Sequence, residues 1–157
     1  MPIANRRKRI LIGIDPGKSG GIAWGTKYEL MGCVSMPKTE PDVCDFILAI
    51  SKIGDASCIL EKVGSRPGNS ARSMFTFGEG FGVLKSALYF AGVRTELCVP
   101  GKWMRALGIP KKKKTETKGQ YKNRLKQRSQ QLFPKERVTL DTADALLIYE
   151  YHRNIIG

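Results

Sequence analysis

The 157-residue chain is poor in histidine, in acids and in long apolar runs. Its one histidine, His152, lies near the C-terminal end and is expected at the surface rather than as a ligand. Its four cysteines, Cys33, Cys44, Cys58 and Cys98, stand singly with no C-x-x-C pair, which excludes a zinc knuckle or a disulfide framework. They read as small, buried apolar residues of a chain kept in a reducing, cytoplasmic compartment. No uncharged apolar run approaches the length of a membrane span. The opening "MPIANRRKRI" has no apolar stretch ahead of a cleavage site, so no secretory signal is expected. No internal repeat and no Gly/Ser/Pro-rich linker divides the chain, so 1–157 is expected to form a single domain. A hydrophobic content of 41% separates it from disordered sequences.

What is abundant is positive charge, 27 Lys and Arg against 14 Asp and Glu, and it is concentrated. Residues 100–138 hold 13 bases and two acids, and the tail 1–9 holds four bases and no acid. Residues 10–99 are balanced at nine of each, and 139–157 carry three acids and one base. A neutral body with one strongly basic segment is the footprint of a polyanion binder, since a merely solubilising face mixes signs. Lys102, Lys111, Lys112, Lys113, Lys114, Lys118 and Lys122 are the candidate nucleic-acid contacts, and 100–137 is the candidate DNA-facing segment. The "KKKK" tract also fits a localisation signal, but its place just before the last helices favours a DNA-facing loop.

Hydrophobic patterning predicts strands over 9–15, 20–26, 28–36, 57–63 and 93–99. The first three follow one another through short turns, as antiparallel hairpins do. Helices are predicted over 41–52, with Pro41 at its start, and over 70–91. In the latter, Met74, Phe77, Phe81, Leu84 and Leu88 recur at spacings of three and four before Gly92. "PGKWMRALGIP" reads as a short helix and turn. A basic helix follows, capped by Thr115 or Thr117 and ended by Pro134, and then "TLDTADALLIYEYHRN" reads as the last helix. The order predicts an α/β fold, a mixed sheet covered by helices.

Four carboxylates stand out. Asp15 ends the apolar run Ile10-Leu11-Ile12-Gly13-Ile14, and Glu61 ends Cys58-Ile59-Leu60. Asp141 and Asp144 are three apart at the start of a helix and so share a face. Each has an ordinary reading: Asp15 as a turn acid, Asp141 as a cap, Glu61 as a partner of Lys62 or Lys18. Taken together beside a basic segment, they are the two halves of a metal-dependent nuclease, acids for Mg²⁺ and bases for phosphate.

"GIDPG" at 13–17, "LEKV" at 60–63 and "DTADAL" at 141–146 resemble, in order and spacing, the motifs of RuvC-type Holliday junction resolvases of the RNase H-like superfamily. The resemblance implies a five-stranded mixed sheet with the first three strands antiparallel, flanked by helices. It implies a homodimer that cuts branched DNA, a four-way junction, by paired symmetric incisions at two-Mg²⁺ sites, with Mn²⁺ able to substitute. Asp15, Glu61, Asp141 and Asp144 match the family's catalytic and metal-binding acids. Lys118 resembles the base that opens the penultimate helix near the scissile phosphate, and Lys102 falls within one residue of another family lysine. The chain departs from the pattern in one respect. No aromatic follows the fourth-strand acid in "EKVGSRPG", where some members stack one at the junction centre, and Phe75 and Phe77 are the next aromatics. Phe77, Gly78, Phe81 and Gly82 mark the candidate dimer face; packing of these glycines on the chain's own sheet is the alternative. For Phe75, Phe77, Tyr89, Phe90 and Trp103, a place in the core is the alternative to stacking at the junction centre. A bacterial cytosol, or the bacterial host of a virus, is the expected setting.

Three rival readings follow from the same residues. Sugar kinases and actin-like ATPases share the strand-Asp-x-Gly-turn-strand opening, but they duplicate the unit beyond the length of this chain. A non-catalytic DNA-binding module would not need all four acids. An RNase H-like nuclease acting on RNA–DNA hybrids is the nearest competitor.

Overall fold

The computed structural model describes residues 7–64 and 68–156. Residues 1–6, most of the basic tail, lie outside the described residues. Five strands, β1 (Arg9–Asp15), β2 (Gly21–Gly25), β3 (Leu30–Ser35), β4 (Asp55–Glu61) and β5 (Arg94–Cys98), form one sheet in the order β3-β2-β1-β4-β5. β1 pairs antiparallel with β2 and β2 with β3, whereas β4 pairs parallel with β1 and with β5. The helices are α1 (Glu40–Ser51), α2 (Ala71–Phe90), α3 (Pro100–Ala106), α4 (Lys118–Leu132) and α5 (Leu140–Ile155). This is the expected mixed sheet with its first three strands antiparallel. β4 begins two residues before its apolar run because the Asp55 amide donates to the Lys8 carbonyl and Asp55 sits opposite Arg9.

β1 is an unbroken apolar run because both of its faces are covered. Ile10, Ile12 and Ile14 pack with Val43, Ile47, Leu84 and Leu88 of α1 and α2. Leu11 faces the other way, against Ala145, Leu146 and Tyr149 of α5. α5 is the buried axis of that second layer: every residue from 142 to 152 is buried. Ile59 of β4, Trp103 and Met104 of α3 and Leu125 of α4 pack against its Leu147 and Ile148. The capping residue of α4 is Thr117, in a capping box with Gln120, and Thr139 caps α5.

Two glycines let α5 lie directly on the sheet. A Cβ on Gly13 would stand 2.3 Å from the Tyr149 amide nitrogen and 2.7 Å from the Ala145 carbonyl oxygen. A Cβ on Gly21 would stand 2.6 Å from the Asp141 carbonyl oxygen. The Tyr149 hydroxyl then donates to the Thr26 carbonyl at 2.6 Å and so ties the helix to the β2–β3 turn.

Burial corrects the expectations for His152 and for two cysteines, since Cys44 is exposed and Cys33 only half-buried. His152 is not at the surface: it is 3% exposed. Its Nδ1 lies 2.9 Å from the Ile12 carbonyl and its Nε2 3.1 Å from the Ser57 hydroxyl. The carbonyl can only accept, so Nδ1 carries the proton, and burial pushes the imidazole pKa down. The fourth turn of α5 is as enclosed as the first, which a position near the chain's end does not reveal. Tyr89 and Phe90 are exposed at 78% and 86%, on the side of α2 turned away from the buried Leu84 and Leu88. Trp103, by contrast, lies in the core. No helix among the described residues is long and apolar enough to cross a membrane.

Gly13→Ala should lower the unfolding free energy in urea by about 1–3 kcal/mol, since the obstructing atoms are backbone and the helix itself must shift. Gly78→Ala, in open space on α2, is the control and should be neutral or stabilising by about 0.5–1 kcal/mol. Equal unfolding midpoints for the two variants would refute the account of α5.

Candidate active site

Strand register brings the first two acids together. Ile14 pairs with Leu60 in parallel, so the next residues, Asp15 and Glu61, leave adjacent strands side by side at their carboxyl ends. They emerge on the same face as Leu11 and Ile59, the face covered by α5 and α3. Across the antiparallel ladder, Asp15 is opposite Gly21, which lies against the backbone of Asp141 and Thr142. The first turns of α5 are thereby set beside the end of β1. Asp141 is partly exposed there, and Asp144, one turn on, is buried.

The surroundings of these carboxylates come from the next two helices. The Trp103 indole N–H donates to Glu61 Oε2 at 2.8 Å, and both residues are buried. Glu61 is opposite Cys98, the last residue of β5, so the short helix that follows β5 carries Trp103 back over it. The Lys122 ammonium donates to Asp144 Oδ2 at 2.7 Å. Burial works against the charge on Lys122, but the Asp144 carboxylate outweighs it, aided by Asp15 and Glu61, and the pKa is raised. Lys122 is thus linked electrostatically to acids from β1, β4 and α5. Asp144 Oδ1 is buried without a hydrogen-bond partner. As the side chains stand, no three His, Cys, Asp or Glu among the described residues close into a ready metal cage.

The other candidate residues are spread over several surfaces. Lys118 is exposed at the start of α4, one turn before Lys122. Lys102 is turned to Glu96 of β5 at 3.0 Å, in an exposed pair. Lys111, Lys112, Lys113 and Lys114 are exposed in the α3–α4 connection. That connection is tied down by a pair which the sequence reading passed over. Arg124 donates to both oxygens of Glu116, at 2.9 and 3.1 Å, and to the carbonyls of Pro110 and Lys111. Glu116 also accepts from the Lys113 amide. Its hydrogen bond from Arg124 holds its pKa down at about 2, so the clamp stays charged far into acid. Phe77 and Phe81 stack on α2 with ring centroids 6.2 Å apart. Gly78, Gly80 and Gly82 meet nothing within 4 Å, so they do not pack on the chain's own sheet.

Sequence reasoning therefore missed Trp103 as the partner of Glu61 and Lys122 as the partner of Asp144. Lys122 could have been reached from its i+4 spacing to Lys118, which places both on one face of α4. No local signal marks Trp103, because its role follows from the register of β4 and β5. Trp103→Phe keeps the ring volume and removes the donor, leaving a buried carboxylate oxygen without it. The unfolding free energy in urea should fall by about 1.5–3 kcal/mol, the range for hydrogen bonds to charged groups. An unchanged midpoint would mean that the indole N–H does not carry the carboxylate.

No family model matches the sequence, and no curated relative matches it. Solved structures do. The structure of Thermus thermophilus RuvC in complex with a Holliday junction substrate superposes with a TM-score of 0.66 at 17% identity, over 95% of this chain and 96% of that one. A second Thermus thermophilus RuvC structure gives 0.59 at 18% identity, over 91% and 92%. With sheet order, parallel and antiparallel pairings and helix placement all in place, the chain has the RuvC fold, an RNase H-like five-stranded mixed sheet flanked by helices.

Proposed function

We propose that this chain is a divalent-metal-dependent endonuclease that resolves four-way DNA junctions by paired symmetric incisions, acting as a homodimer. The observation that carries the reading is the strand register that sets Asp15 and Glu61 side by side at the ends of β1 and β4, with the acidic first turns of α5 seated beside them, on a fold whose Thermus thermophilus example was solved with a Holliday junction substrate. Asp15, Glu61, Asp141 and Asp144 are the residues that would hold Mg²⁺, or Mn²⁺ in its place. Two features suit such ions: the donors are all carboxylate oxygens, and the buried Asp144 Oδ1 has no partner of its own. When bound, divalent ions supply the positive charge that a phosphodiester needs as water attacks and the 3′ oxygen leaves.

The chain's own residues do the rest. The paired strand ends fix Asp15 and Glu61, and the Trp103 N–H holds one Glu61 oxygen in place. α5, seated on Gly13 and Gly21, brings Asp141 and Asp144 to the same end of the sheet. Lys118 and the four lysines of the clamped 110–116 connection supply backbone-phosphate contacts, which give affinity without base readout and weaken with salt.

Resolving a junction needs two cuts placed symmetrically, which a twofold pair of sites provides. The helix that offers a second copy close approach is α2, through Phe77, Gly78, Phe81 and Gly82. Glycines inside a helix cost stability, and among the described residues no contact that a side chain there would displace offsets that cost.

Asp15→Asn should abolish junction cleavage in Mg²⁺ while junction binding is kept or improved, because the change removes both a ligand and a charge that repels phosphate. The assay should include a four-way junction, a duplex and an RNA–DNA hybrid. Cleavage of the hybrid alone would overturn the junction reading in favour of an RNase H activity, and near wild-type junction cutting by Asp15→Asn would overturn the site.

Gly82→Glu enters open space in one copy, so circular dichroism should be unchanged. Sedimentation should show the dimer split, and paired cuts should become single nicks or none. A monomeric unmutated protein that still makes paired cuts would remove the dimer from the mechanism.

A further inference from the structure

Lys122 is placed unlike any other base of the α4 surface. Its ammonium is 2.7 Å from Asp144, whose side chain is 9% exposed, while the lysine side chain itself is 38% exposed. One end of the pair is fixed in the interior and the other hangs on a flexible four-carbon stem that reaches solvent. The acid it holds belongs to the end of the sheet at which Asp15 and Glu61 leave adjacent strands. Asp144 is bound by Lys122 through Oδ2, and its Oδ1 is buried without a hydrogen-bond partner. The lysine also stands one helical turn beyond Lys118 on α4.

We infer that Lys122 is the resident counter-cation of the carboxylate cluster: it holds Asp144 in place when no divalent ion is bound, and it gives way when one binds. This rests on the metal-dependent reading above. Assembling acids at the carboxyl ends of β1 and β4 and at the start of α5 places like charges together in a partly desolvated corner. An ammonium among them offsets that repulsion without closing the site. A divalent ion offers twice the charge to the same oxygens, so lysine and ion compete for Asp144. The lysine lowers the affinity for the ion and, in exchange, keeps the cluster assembled without it. Once displaced, the ammonium remains tethered at the rim of the site through its stem.

The test compares the unmutated protein with Lys122→Gln and Lys122→Arg, using Mn²⁺ as the probe and calorimetric titration and thermal melting as readouts. Lys122→Gln should bind Mn²⁺ more tightly, by about tenfold for the loss of one charge-assisted contact. It should melt lower than the unmutated protein without metal and gain more from Mn²⁺. Lys122→Arg, which keeps the charge, should bind Mn²⁺ close to the unmutated affinity. Independently of any variant, acylation of Lys122 in the unmutated protein, read by mass spectrometry, should be slow without metal and should rise several-fold in Mn²⁺ as the ammonium is released. Equal or weaker Mn²⁺ binding by Lys122→Gln, or acylation indifferent to Mn²⁺, would overturn the competition while leaving the metal site standing. Binding of Mn²⁺ by none of the three proteins would overturn the metal reading itself, and this inference with it.

Discussion

The position of α5 on the sheet is the constraint from which the rest of the molecule follows. A buried helix normally stands off a sheet by the thickness of two side-chain layers. Here Gly13 removes one of those layers, and the backbone of residues 145–149 lies where a Cβ would otherwise be. Gly21 does the same for the first turn, and the Tyr149 hydroxyl locks the helix to the Thr26 carbonyl at the far end of β2. A helix seated that closely cannot rotate or slide without striking the strand backbone. Its Asp141 and Asp144 are therefore positioned by backbone contact rather than by long side chains.

Electrostatics then divides the chain into two parts that face each other. The acids come from the apolar elements β1, β4 and α5, where they are held at the ends of buried segments. The bases come from the polar helix α4 and the connection before it, which bury little beyond Leu125 and the small Ser129. Such a helix has little apolar area to hold it in place, so polar devices supplement packing: the Thr117–Gln120 capping box, the Arg124–Glu116 clamp and the Lys122–Asp144 pair. Of these, only the last joins the two parts directly. The clamp works at the surface, where an isolated ion pair is worth little. Its consequence is geometric: bonds to the Pro110 and Lys111 carbonyls give the lysine-rich connection a defined course.

Much of this was legible in the sequence, and the parts that were not share a cause. Strands and helices could be read because their periodicity is local, and the oddity of a buried run ending in Asp15 or Glu61 is visible within seven residues. The meaning of Gly13 was not visible, because the atoms that forbid a side chain there belong to residues more than 130 positions away. Trp103 could be read as core or as exposed, and its bond to Glu61 depends on the register of two parallel strands. His152 was misplaced at the surface because its enclosure comes from β1 and β4 rather than from its neighbours in α5. Tyr89 and Phe90 stayed open for a related reason: which side of α2 the sheet covers is set by tertiary packing, and they fall on the side away from Leu84 and Leu88.

The two faces of the sheet are put to different uses. The α5 face carries the acids, and everything packed on it serves to hold them: α3 through Trp103 and α4 through Lys122. The opposite face carries α1 and α2 over Ile10, Ile12 and Ile14, and contributes no member of the cluster. Its helix α2 is built against its own stability, with three glycines in open space and aromatic rings at 75, 89 and 90 left exposed. A sequence under no other demand would replace such glycines with alanine. β1 joins the two halves, because alternate residues of one seven-residue strand face α5 and α2. Ile14, packed beneath α1 and α2, is followed at once by Asp15, which leaves the strand on the α5 side. Strand alternation thus sets the underside of the glycine-bearing helix and the acidic end of the sheet one residue apart, with no hinge between them.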